Sequence, residues 1–153
     1  MKQCYYGHNG RGYAGSTRMA GYTTINMQQN LIHNTSNTAV IAQIEDIDAL
    51  DQLDAICQVK GVDCLFIGRM DLTVALGQTD PNAPKVLETV NKIVEVANKH
   101  NLATGMFIAN LDELDHWLKQ RVSLFLLGSD HSFMLAGANQ LQAKFTQAKK
   151  NQQ

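Results

Sequence analysis

The chain has 153 residues, of which 44% are hydrophobic and 18% charged, with 13 basic and 14 acidic side chains for a net charge of −1. That is the length and balance of one globular domain with a sizeable core. The near-neutral charge and lack of a basic stripe argue against a nucleic-acid partner, and no apolar run approaches the ~18 residues of a membrane span. The first ten residues, MKQCYYGHNG, hold no apolar signal segment, and Cys4, Cys57 and Cys64 form no C-x-x-C pair. Thiols in a reducing cytoplasm are the simplest expectation.

Residues 1–24 are rich in glycine, tyrosine and polar groups and read as a long irregular loop. Gly10-Arg11-Gly12-Tyr13-Ala14-Gly15 has the G-x-G-x-x-G spacing. No strand precedes it, so it is not read as a dinucleotide turn. Arg11 and Arg18 are either solvated loop residues or contacts to a carboxylate or a second subunit.

Residues 25–148 alternate between strands and helices. A short helix is expected over Ile25–His33, then a turn at Asn34–Asn37 (NTSN). Thr38–Ile44 (TAVIAQI) reads as the first strand. Ile47, Leu50, Leu53 and Ile56–Cys57 recur at helical spacing, with Asp46, Asp48, Asp51 and Asp54 on the polar side, and Gly61 stops that helix. Val62–Ile67 is a second apolar strand, followed by a loop that carries Asp71 and ends at Gly77. Pro81-Asn82-Ala83-Pro84 opens a helix with the stripe Val86/Leu87, Val90, Ile93/Val94 and Ala97, ended by Asn101. Ala103–Ala109 is the third strand. Asn110 and Glu113 have capping-box spacing before a stripe of Leu111, Leu114 and Trp117–Leu118. Val122–Leu127 is the fourth strand. Gly128-Ser129-Asp130 leads into a last helix burying Met134, Ala138, Leu141, Phe145 and Ala148, and residues 149–153 form a polar tail. Four strands alternating with four helices mean an α/β domain with a parallel sheet. The continuous apolar strands predict a sheet covered on both faces.

Glu45 directly follows the first strand and Asp71 lies just past the second. Parallel strands send both carboxylates to the same rim, where α/β proteins place their chemistry. Hard carboxylate oxygens suit Mg²⁺ or Mn²⁺, with positions left for substrate and water. On spacing alone, a metal pair and a simple helix cap plus loop charge both remain open.

The wording of these segments is more specific. A-Q-I-E-D at residues 42–46, followed by G-V-D-C-L-F-I-G-R-M-D-L-T-V-A-L-G at 61–77, resembles the HpcH/HpaI aldolase/citrate lyase family. Arg11-Gly12-Tyr13 and Ser16-Thr17-Arg18 look like that family's R-G-[YF] and T-R elements, and the likeness runs from about Tyr5 to about Ala138. The resemblance implies a (β/α)₈ TIM-barrel type of fold, incomplete here, with strands five to eight and their helices. It implies a divalent-metal-dependent carbon–carbon lyase acting on a 2-oxo acid through a pyruvate enolate, with an aldehyde as the second small molecule. By matched position Glu45 and Asp71 are its metal ligands and Gln43 a substrate-binding glutamine. The segment Gly68, Arg69, Met70 and Asp71 takes the pyruvate carboxylate. The family usually has Pro-Ala where this chain has Arg69-Met70. The family's catalytic histidine and arginine match no position here, and His8, His33, His100, His116 and His131 are not placed by motif at the Glu45/Asp71 rim.

Two alternatives remain at this level. One is a non-catalytic half-barrel that keeps the ligands without a base. The other is a flavodoxin-like α/β binding domain, which the missing glycine-rich phosphate turn disfavours. Unprotected apolar edge strands and a half-filled barrel interior predict self-association into a homo-oligomer.

Overall fold

The computed structural model describes residues 2–151. After 3₁₀ turns at Lys2–Cys4 and Arg18–Thr23 come α1 (Met27–Asn37), β1 (Ile41–Ile44), α2 (Ile47–Asp51), α3 (Leu53–Cys57) and β2 (Cys64–Ile67). Then follow α4 (Arg69–Ala75), α5 (Pro84–Lys99), β3 (Ala103–Ile108), α6 (Leu114–Lys119), β4 (Leu124–Leu127) and α7 (Asp130–Lys150). The four strands form one sheet in the order β1-β2-β3-β4, all parallel.

The two faces of this sheet differ. Alternate residues Ile44, Leu65, Ile67, Met106 and Ile108 point to one side and are buried. They meet the amphipathic face of α5, where Val86, Val90, Ile93, Val94 and Ala97 recur at helical spacing, and Trp117 of α6. On the other side Ile41, Gln43 and Phe107 are exposed, with Leu126 beside Phe107. The expectation of a sheet covered on both faces is therefore corrected: among the described residues helices cover only one. The run of apolar residues along each strand reflects two apolar faces, one of which is open. Gly105 of β3 has no room for a side chain against β4, since a Cβ there would lie 2.8 Å from Leu124 Cβ.

Several local expectations also change. Asn34–Asn37 continues α1 instead of turning. Asn34 is buried, its amide accepting from Tyr6 N–H and donating to Thr38 Oγ1, so tertiary partners override turn propensity. The helix after Glu45 is two short helices, broken at Gln52 (φ −110°, ψ 8°). Asp71 is not in a loop. Gly68 caps α4, and Asp71 sits in its first turn, where a carboxylate suits the helix end, while Leu72 and Thr73 are buried behind it.

The helix expected to cap at Asn110 begins at Leu114. Asn110 Oδ1 instead accepts from Asp112 N–H, an Asx turn, and Leu111 and Leu118 are exposed. The stripe on α7 is not buried: Met134, Leu141 and Phe145 are exposed, and no described element packs over them. This helix is held by its own Ser129/Ser132 capping box and runs on to Lys150, through part of the expected tail. Residues 152 and 153 of that tail lie outside the described residues. Among the described residues no helix is long and apolar enough to cross a membrane.

Candidate functional site

The register of β1 on β2 pairs Gln43 with Phe66 and Ile44 with Ile67, so Glu45 falls level with Gly68. Gly68 N–H donates to Ile44 C=O at 2.9 Å and carries the ladder one residue past the strand ends. Gln43 and Glu45 are two residues apart and share the open face. Their side chains meet there, Gln43 Nε2 donating to Glu45 Oε2 at 2.5 Å. The glycine at 68 is required by this meeting. A Cβ at that position would lie 2.8 Å from Glu45 Cβ and 3.1 Å from both Glu45 Oε2 and Gln43 Nε2.

Past Gly68 the chain enters α4 at once. Its first intrahelical bond is Leu72 N–H to Gly68 C=O, so the N–H groups of Arg69, Met70 and Asp71 precede the ladder. Gln43, Gly68, Arg69, Met70 and Asp71 all line one cavity of about 300 Å³ at the carboxyl ends of the strands. Glu45 does not line the cavity; it is joined to it through the bond from Gln43, which does.

Neither Glu45 nor Asp71 takes part in an ion pair among the described residues, which leaves their charge uncompensated by the chain. They are the residues that could hold a cation. Among the described residues no cluster of three or more His, Cys, Asp or Glu has the makings of a metal cage. Glu45 beside the Gln43 amide, and Asp71 on the wall of the cavity that Gln43 also lines, have the donor chemistry of a hard divalent ion that keeps several positions for water and substrate.

Sequence reasoning missed the other half of the rim. Arg69 Nη1 donates to Glu113 Oε2 at 2.5 Å, and Arg69 Nη2 donates to Asn82 Oδ1 at 3.0 Å. Trp117 Nε1 donates to the same Glu113 oxygen at 2.9 Å. Three connections, those after β2, before α5 and after β3, are tied together through one guanidinium. The available signal was Glu113-x-x-x-Trp117, a helical i,i+4 pair of an acceptor and a buried donor. Phe66, Pro81, Phe107 and Ala109 supply apolar wall.

None of the five histidines lines the cavity. His100 Nε2 pairs with Asp54 at 2.8 Å, His116 meets Gln120, and His131 lies beside Asp130. Arg11 does not contact a carboxylate. Its guanidinium lies 4.3 Å from the centre of the Tyr6 ring, and Tyr6 packs edge-on to Tyr13. Arg18 begins the second 3₁₀ turn and is exposed.

Burial pushes the Glu113 carboxyl up, but the hydrogen bonds from Arg69 and Trp117 and the Arg69 charge outweigh it and hold the group below the ordinary glutamate range. A depressed folded-state value contributes stability above the unfolded value and loses it as pH falls through the folded one. Glu113→Gln is therefore expected to be less stable than the parent chain at pH 7, with the difference shrinking on acidification below the glutamate range. Urea unfolding at both pH values checks this, and a difference independent of pH would contradict an ionised Glu113.

The HpcH/HpaI aldolase/citrate lyase family model matches residues 4–136. A hydroxypyruvate/pyruvate aldolase of Paraburkholderia phytofirmans is 31% identical over 132 residues, covering 85% of this chain and 50% of the relative. A 4-hydroxy-2-oxo-heptane-1,7-dioate aldolase of Klebsiella pneumoniae is 30% identical over 123 residues, covering 79% of this chain and 46% of the relative. The solved structure of an HpcH/HpaI aldolase/citrate lyase family protein from Burkholderia cenocepacia J2315 superposes with a TM-score of 0.80 at 26% identity, over 90% of this chain and 54% of that one. The chain spans about half the length of the curated relatives it matches. Its parallel α/β architecture is that of the TIM-barrel-type structures in this group, and the flavodoxin-like alternative falls away. By the match over residues 4–136, the chain belongs to the HpcH/HpaI aldolase/citrate lyase family.

Proposed function

We propose that this chain carries the metal and substrate-binding part of a carbon–carbon lyase that acts on a 2-oxo acid, with an aldehyde as the other small molecule. The observation that carries the reading is the convergence of Gln43, Glu45, Gly68 and Asp71 at one strand end, in a family whose named relatives are aldolases. Glu45 and Asp71 would hold Mg²⁺ or Mn²⁺, which would supply Lewis acidity when bound.

The chain's own residues do the rest of the binding. Gln43 holds Glu45 Oε2 and so fixes that carboxylate's orientation. The N–H groups of Arg69, Met70 and Asp71 are free of the helix ladder and can donate to a substrate carboxylate. Gly68 leaves room for the Gln43–Glu45 contact. Phe66 and Phe107 supply an apolar wall beside these donors. The three free thiols suit a reducing, cytoplasmic setting.

Asp71→Asn keeps the side chain's shape and removes its charge. It is expected to weaken Mn²⁺ binding by about tenfold or more with the fold intact. Calorimetry checks this, and unchanged affinity counts against Asp71 as a ligand.

The proton step has no assigned group, since every histidine lies away from the cavity. This observation favours a second reading, in which the chain binds a 2-oxo acid without turning it over. General acid–base help is worth ~10²–10⁴ in rate, so Mn²⁺-supplied chain is expected to cleave a 4-hydroxy-2-oxo acid at least that much more slowly than an aldolase equipped with a base. Pyruvate release measures it. Equal turnover would mean that another group of this chain moves the proton.

The open face and the free edges of β1 and β4 lead us to propose a homo-oligomer. Ile41, Phe107, Leu126 and Leu127 are about half exposed, and neither edge carries a proline or an inward charge. At ~25 cal/mol per Å², covering a few hundred Å² of such surface gives several kcal/mol toward association. Sedimentation at micromolar concentration is expected to show species larger than 16.9 kDa. A stable monomer would contradict the inference.

A further inference from the structure

Arg69 is the one cationic side chain lining the cavity among the described residues, and only 12% of it is exposed. A guanidinium in such a place ordinarily recruits a ligand carboxylate through its paired N–H fork. Here both terminal nitrogens already have acceptors within the chain, Glu113 and Asn82. Glu113 cannot easily swing aside, because Trp117, itself buried, donates to the same oxygen that Arg69 holds. The charges cancel at contact distance. The neighbouring wall, Phe66, Met70, Pro81, Phe107 and Ala109, offers a second anion nothing but desolvation.

We propose that the Arg69–Glu113 pair makes its stretch of the cavity wall charge-neutral, so that the cavity selects 2-oxo acids with an uncharged tail over those with a second carboxylate. The proposal rests on the reading of the cavity as a 2-oxo acid site. Arg69 and Glu113 act as specificity-determining residues: Glu113 occupies the fork that would otherwise take the tail carboxylate.

The test compares 2-oxoglutarate with 5-methyl-2-oxohexanoate, in which an isopropyl group replaces the distal carboxylate. Mn²⁺-supplied parent chain, Glu113→Gln and Arg69→Met are titrated with each by calorimetry. The parent chain is expected to prefer the uncharged tail by about tenfold, the worth of one charge-assisted contact. Glu113→Gln should close or reverse that ratio, and Arg69→Met should widen it. A general loss of structure weakens both ligands together and leaves the ratio alone, so a ratio unmoved in both variants overturns the proposal. Failure of both acids to bind the parent chain counts against the 2-oxo acid reading instead. In that event a metal-free titration with acetate, followed by the Arg69 Nε–H resonance, decides the charge claim. A saturable shift in Glu113→Gln and none in the parent chain supports it, and equal shifts in both overturn it.

Discussion

The parallel register between β1 and β2 governs the candidate site. Ile44 lies opposite Ile67, and Gly68 N–H reaches back to Ile44 C=O. That bond sets Glu45 against the one residue without a side chain, and it starts α4 on the same rim. Slipping the pair by one residue would turn Gln43 and Glu45 to the helix-covered side and bury their polar groups among Leu65, Ile67 and the stripe of α5. The hydrophobic pattern that builds the core is therefore also what aims the carboxylates. Core and candidate site share one alternation: even-numbered positions of β1 turn toward the helices and odd-numbered ones face the open side, where Gln43 reaches the cavity.

The same alternation explains the chain's least satisfied surface. Helices α5 and α6 cover one side of the sheet, while the side bearing Gln43 also bears Ile41, Phe107 and Leu126. In a TIM-barrel type of fold that side is the interior, filled by layers of side chains from successive strands. The apolar positions of α7 are likewise uncovered. Fold and site thus present one surface, and whatever covers the open face also shapes the space around Gln43 and Asp71.

Much of this was legible in the residues. Strand–helix alternation follows from apolar runs of about six residues separated by stripes at 3.6 spacing, and α5 is found almost residue for residue because its apolar face is continuous. Gln43, Glu45 and Asp71 could be singled out because each sits at a fixed offset from a strand end. The losses have identifiable causes. Asn34 reads as turn chemistry, but its amide has partners from Tyr6 and Thr38 that only the fold supplies. Asp71 reads as a loop residue, since eight residues between two glycines look too short for a helix until Leu72 and Thr73 are seen to be buried. Glu113 reads as a local cap. Its partner Arg69 is 44 residues away, and no sequence spacing reports a contact across two connections.

The central claim is that Glu45 and Asp71 hold one divalent ion at the strand end that Gly68 keeps open. Anomalous diffraction from crystals grown with Mn²⁺ tests it directly. The account predicts a single strong peak bridged by the two carboxylates, with oxygen distances of about 2.0–2.6 Å and solvent or ligand completing the shell. A peak held by other residues, or the two carboxylates turned away from a common ion, would contradict it.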